Sequence, residues 1–153
     1  MRVLEQVAKQ HGERLRLIPV EHLLDCKEEL LQFQQKEELN GFQNWIINEL
    51  YQFVVPEVDF EVKSILLIAM SYPPYAEVEF QWQGKKYFLK GLAGPDFDEV
   101  KKRYSSVVEE EGFHLIHADN LPLKRLSAQS GLGAYGKNNV TYVEGLGSYI
   151  IYD

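Results

Sequence analysis

Residues 64–70 read Ser-Ile-Leu-Leu-Ile-Ala-Met, an unbroken apolar run bounded by Lys63 and by Tyr72-Pro73-Pro74. A strand with one wet face alternates apolar and polar residues, whereas one without alternation is covered on both faces. The run therefore predicts a central strand, and the rest of the chain has to supply cover on two sides of a sheet.

Helical spacing supplies that cover. Val3, Leu4, Val7 and Ala8 share one face of a short helix that stops at Gly12, and residues 14–19 alternate as a short strand. A long helix is expected over 20–39, with Leu23, Leu24, Leu30 and Leu31 as its stripe and Asn40-Gly41 as its C-cap. Phe42, Trp45, Ile46, Leu50 and Phe53 recur at helical spacing and predict a second helix ending near Pro56. Phe97, Val100, Tyr104, Val107 and Val108 predict another, opened by Asp96 and closed by Gly112. Residues 113–118 read as a strand, and 122–130 as a short helix with proline in its first turn.

Two hairpins complete the pattern, 78–82 with 86–92 around Gln83-Gly84, and 140–143 with 148–152 around Gly145-Leu146-Gly147. The expected fold is α/β, a sandwich of helices around a mixed central sheet with inserted β-hairpins, forming one domain over 1–153. The last strand stays apolar to Tyr152 with no turn or cap before Asp153, which reads as the N-terminal part of a longer chain.

Composition narrows the function classes. The net charge is −7, and the short basic groups at Lys85-Lys86, 101–103 and Lys124-Arg125 lie near acidic residues. Phosphate-gripping domains carry a basic balance or stripe, so nucleic-acid binding by this domain unaided is not expected. No run of eighteen apolar residues is present and charge appears at Arg2, so neither a membrane span nor a signal peptide is predicted. Cys26 is the only cysteine, which fits a reducing compartment and a cytoplasmic protein.

Chemistry-bearing residues concentrate in one stretch. Gly131, Gly133 and Gly136 match the spacing G-x-G-x-x-G, followed by Lys137, Asn138 and Asn139. That fingerprint binds dinucleotides only between a strand and a helix N-terminus. Here a helix precedes it and a strand follows. Two readings stay open, a helix C-cap with a turn, or a loop that lets a ligand approach the backbone. Asp119 follows the 113–118 strand just ahead of Pro122 and reads, from its position alone, as the N-cap of the next helix. His114 and His117, three apart on a strand, would point to opposite faces, so no metal site is expected. One thiol cannot hold an iron–sulfur cluster, and Cys26 reads as a small buried hydrophobe.

The stretch Leu121-Pro122-Leu123-Lys124-Arg125-Leu126-Ser127-Ala128-Gln129-Ser130-Gly131-Leu132-Gly133-Ala134-Tyr135-Gly136-Lys137-Asn138 resembles a segment of epoxyqueuosine-reductase-like iron–sulfur proteins, a short helix running into G-L-x-x-x-G-[KR]-N. Gly147-Ser148 with its aromatic and aliphatic followers, and the Ser64 to Pro74 strand and turn, are also similar. Asn120-Leu121-Pro122 and Tyr135 depart from the family pattern and point to a divergent branch. The resemblance implies a corrinoid-binding α/β module, with cobalamin lined by Gly131, Leu132, Gly133, Tyr135, Gly136, Lys137, Asn138, Asn139, Thr141 and Ser148. It implies Asp119 as the proton donor. It further implies a missing iron–sulfur domain with two 4Fe-4S clusters as partner, and a tRNA nucleoside or other small molecule as substrate. Such a domain would be inactive alone, and exposed edges left by the missing half would favour a homodimer. The alternative is a non-catalytic interaction or scaffold domain with a vestigial pocket.

Overall fold

A computed structural model describes residues 2–71, 76–91, 96–137 and 140–152. Helix α1 (Arg2–Gln10) leads into strand β1 (Arg14–Pro19), followed by α2 (His22–Lys36) and a short α3 (Gly41–Trp45) that continues as a π-turn (Ile46–Leu50). Strand β2 (Ser64–Ser71) is followed by the hairpin β3 (Ala76–Trp82) and β4 (Lys85–Gly91). After α4 (Phe97–Glu110) and α5 (Leu123–Gln129) come β5 (Ala134–Tyr135), β6 (Thr141–Val143) and β7 (Gly147–Tyr152).

Five strands form one sheet in the order β1-β2-β7-β6-β5, and β3–β4 forms a second, two-stranded sheet. The α/β class is as the sequence implies, and β2 takes the central role its composition demands. Leu66, Leu67, Ile68, Ala69 and Met70 are all buried. Successive side chains alternate between faces. Leu67 and Ala69 pack with Leu23, Cys26, Leu30, Ile47 and Leu126, while Leu66, Ile68 and Met70 pack with Val100 and Tyr104 and against Leu4 and Val7. The sheet thus separates two apolar layers, and each fully buried Leu or Ile contributes about 1.5–3 kcal/mol.

Three glycines end helices, Gly12 and Gly112 as the sequence implies and Gly131 by one of its two open readings. At Gly12, Gly112 and Gly131 φ is +68°, +79° and +71°. The two N–H groups beyond each helix bond back to its last turn, as when Gly112 donates to Glu109 O (2.9 Å) and Phe113 to Val108 O (3.0 Å). Asp96 caps α4, its carboxylate accepting the Glu99 N–H at 3.0 Å. The β3–β4 turn has positive φ at both Gln83 and Gly84, the backbone a two-residue hairpin requires.

A buried acid joins the first and fourth helices. Glu13 accepts the Tyr104 hydroxyl at 2.6 Å and is paired with Arg103. Burial, and then the bond to Glu13, push the Tyr104 hydroxyl far above its ordinary range. Arg103 also reaches His11 Nδ1 at 3.1 Å. Together these bonds fix α4 to the turn between α1 and β1.

Several expectations are corrected. The sheet is not mixed, because every pairing described is antiparallel. A parallel neighbour needs a crossover through a helix; α4 offers one, but residues 113–118, expected as a strand, join no ladder among the described residues. The continuous apolar run reported burial on both faces and nothing about strand direction. The second helix stops at Lys36, not Leu39. Asn40 begins the next helix in place of ending that one: its side chain accepts the Gln43 N–H while the Gln43 side chain accepts the Asn40 N–H, both at 2.9 Å. The following helix ends at Leu50, where Tyr51 N–H bonds to Ile46 O at 2.9 Å in π fashion.

Candidate functional site

The glycine stretch begins as a helix terminus. Gly131 N–H bonds to Ala128 O (3.2 Å) and Leu132 N–H to Ser127 O (3.0 Å), closing α5, and Leu132 is buried. Gly133 serves a different need. A Cβ there would stand 2.9 Å from both Ser127 Oγ and Thr141 Cγ2 and 3.1 Å from Tyr142 O. The loop backbone therefore lies directly on β6 and on the last turn of α5. Only glycine allows that approach. Tyr135 then pairs with Thr141 in the β5–β6 ladder, and Gly136 N–H reaches Val140 O at 2.8 Å.

Of the expected binding residues, Gly131, Leu132, Gly133, Tyr135, Gly136, Lys137 and Thr141 do gather in this corner. Ser148 lies in β7, paired with Tyr142 of β6. Lys137 is exposed. Asn138 and Asn139 lie outside the described residues. Ser127 and Thr141, the two side chains packed against Gly133, have buried hydroxyls with no hydrogen-bond partner among the described residues. Each such group costs about 1–3 kcal/mol when left unmet.

Next to the loop is a cluster that the sequence reading missed. Tyr135 is 44% exposed, and the partial desolvation of its hydroxyl pushes it up to about 12, with Tyr51 adding to the rise and Arg125 opposing it. Tyr51 is raised for the same reason, burial first. Burial likewise lifts the Cys26 thiol to about 11 against the pull of Arg125, so Cys26 is a protonated, inert core residue as expected. Arg125 is 3.6 Å from Glu29, which also accepts the Gln129 amide at 2.7 Å. These side chains come from α2, the residue after the π-turn, α5 and β5, so no local spacing announces them.

Asp119 does not take the cap role: α5 has no side-chain cap, and Leu123 N–H bonds instead to Leu121 O at 2.7 Å. Its carboxylate is not unengaged either, since Oδ1 lies 2.9 Å from His117 Nε2 with Asp119 largely exposed. Asn120, next in the chain, holds φ at +58°.

The larger cavity lies elsewhere. It measures about 620 Å³ and is walled by β2, by Val100 and Tyr104 of α4, and by residues 113–118. A second, of about 440 Å³, opens beside Tyr51 and Lys27. Neither is lined by residues 131–152. His114 and His117 both line the larger one, and His114 stacks on Phe60 at 5.0 Å. Opposite faces were expected, but without a ladder the segment does not enforce strand alternation. Among the described residues no three His, Cys, Asp or Glu side chains are grouped to hold a metal, and no helix is long and apolar enough to cross a membrane.

The fold and this corner define an α/β protein with a glycine-bearing loop packed between a short helix and a hairpin. Compared with known family models, curated proteins and solved structures, the chain matches none.

Proposed function

We propose that the chain is the corrinoid-binding-type α/β domain of an epoxyqueuosine-reductase-like iron–sulfur protein, inactive by itself. Its redox chemistry would come from a 4Fe-4S partner region acting with it in the cytoplasm on a tRNA nucleoside or related small molecule. The observation that carries this reading is the pair of orphaned hydroxyls on Ser127 and Thr141, two side chains packed against the one loop whose sequence bears the likeness. Buried polar groups without partners call for an explanation, and a ligand that meets them is one.

The donor set suits cobalamin. Hydroxyls and loop amides match the amide-fringed edge of a corrin, and the exposed Lys137 matches its phosphate. Ser127, Tyr135, Lys137 and Thr141 would hold the group, which supplies a reducible cobalt centre when bound. Since Gly133 packs on Ser127 Oγ and on the Thr141 methyl, reaching the Ser127 hydroxyl requires the loop to lift. Asp119, sharing a hydrogen bond with His117, would act as proton donor, with the imidazole positioned to return the proton.

A second reading, a non-catalytic interaction domain, draws on the close packing of Gly133, which uses the loop for the fold itself. Titration of this chain with cobalamin, followed in the visible spectrum, separates the two. Saturable binding that weakens in Thr141→Val supports the corrinoid reading. Binding no tighter than to an unrelated acidic protein supports the interaction domain.

A further inference from the structure

We infer that the apolar face of the β3–β4 hairpin packs on the same face of a second copy of this chain, two-fold and antiparallel. Val78 pairs with Leu89, Phe80 with Tyr87 and Trp82 with Lys85, and the five apolar side chains of these rungs are each 40% exposed or more. The other face stands in water with its charges matched, Glu79 paired to Lys86 and Glu77 opposite Lys90. A lone two-stranded hairpin is marginal unless its apolar face is covered. With about half of each side chain uncovered, and about 150–250 Å² per aromatic side chain, the face offers roughly 500 Å². Two such faces bury roughly 1,000 Å², the lower bound of a specific interface.

The order of the rungs selects the occupant. Side-chain size rises along the face, from Gly91 at the base of the ladder, through Val78 and Leu89, to Phe80 and Tyr87, then to Trp82 and Lys85 at the turn. A two-fold axis across the strands, between the Val78–Leu89 and Phe80–Tyr87 rungs, sets this gradient against itself. Phe80 then lies over Val78 of the second copy, Tyr87 over its Leu89, and Lys85 over its Gly91. Large residues meet small ones, as close packing of facing layers requires, and one patch serves both copies. Nothing stands within 4 Å of where a Gly91 Cβ would be, so the Lys85 stem has room there with its ammonium in water. Lys85 is the one charge on this face among the described residues, on a chain of net charge −7, which suits neither nucleic acid nor an anionic membrane. The contact joins faces and leaves strand edges out of it.

A contact of this size should have a dissociation constant on the order of 10–100 μM, so the hairpin is uncovered in dilute protein. Sedimentation of this chain across that range should show a monomer–dimer equilibrium that tightens with salt, as repulsion between two copies of net charge −7 is screened. Trp82→Ala and Gly91→Phe should each weaken it about tenfold or more, the first by removing an anchor and the second by filling the space over which Lys85 lies. Gly91→Phe is the sharper variant, because it adds apolar surface and would strengthen any looser association. Glu77→Gln, on the charged face, should leave the equilibrium unchanged, and melting in dilute protein shows that each variant is folded. A chain monomeric to about 1 mM, a dimer indifferent to Trp82→Ala, or an unweakened dimer of Gly91→Phe would overturn the proposal. A monomer that binds phosphatidylcholine vesicles through Trp82 would overturn it and give the face to lipid. A longer natural chain that stays monomeric with its hairpin amides protected from exchange would overturn it in favour of that chain's own further segment.

Discussion

β2 and the β3–β4 hairpin are both strands of seven or eight residues, yet they live in opposite environments. β2 has an antiparallel neighbour on each side and helices over both faces. In the hairpin every described side chain is exposed. Val78, Phe80 and Trp82 share a face with Leu89 and Tyr87 across the ladder, and Phe80 stacks on Tyr87 at 5.4 Å. The other face carries Glu77, Glu79, Lys86 and Lys90, with Glu79 paired to Lys86. Strand formation and strand burial are thus separate achievements. Cross-strand pairs supply tenths of a kcal/mol to about one each, whereas burial on two faces supplies several times that.

The comparison breaks most severely if the body is not where stability resides. Glu13→Ala should cost about 3–5 kcal/mol in denaturant unfolding, because it strands the part-buried Arg103 and the buried Tyr104 hydroxyl. A loss under about 1 kcal/mol would mean that this network does not hold α4 to the sheet.

Leu67→Ala, at the fully buried centre of β2, should cost about 3 kcal/mol. Phe80→Ala in the hairpin should cost less than about 1 kcal/mol, the worth of an exposed aromatic pair. Equal effects would show that the hairpin is covered in solution.

Gly133→Ala sharpens the comparison at the loop. Its Cβ would meet atoms at 2.9–3.1 Å, one of them backbone, so about 1–3 kcal/mol should be lost. A neutral or stabilising effect would mean that the loop stands away from Thr141, as the corrinoid reading requires on binding.

High pH should act on the body. Cys26, Tyr51, Tyr104 and Tyr135 are all raised on folding, so the folded state holds their protons more tightly. Their contribution is complete below the unfolded pKa and is lost as pH climbs. For Cys26 the window runs from about 9 to about 11, and for Tyr135 it extends to about 12. Melting temperature should therefore fall from about pH 9 upward. A flat profile to pH 11 would place these groups in water.

The smallest effect is expected at Asp119→Asn. The carboxylate is largely exposed, and its pairing with His117 is a surface one, so stability should change by less than about 0.5 kcal/mol. A larger loss would give Asp119 a structural duty that the geometry does not suggest.

Local pattern determined much of this molecule. The buried run at 64–70, the hairpin turn at Gln83-Gly84, the cap at Asp96 and the stops at Gly12 and Gly112 follow from side-chain period and from backbone conformations that few residues tolerate. The glycine stretch was legible as a loop, and one of its two open readings, the helix C-cap, is what Gly131 forms. Tertiary structure decided the rest. Strand direction depends on which segments meet, so the antiparallel sheet and the idle 113–118 segment could not be read from composition. Asn40 suits either end of a helix, and only the Gln43 pairing chose the start. The purpose of Gly133, the orphaned hydroxyls of Ser127 and Thr141 and the Tyr51–Cys26–Arg125–Tyr135 cluster all join residues from separate elements. Spacing along a chain records what neighbours in sequence can do together, and these contacts exist only after the layers have packed.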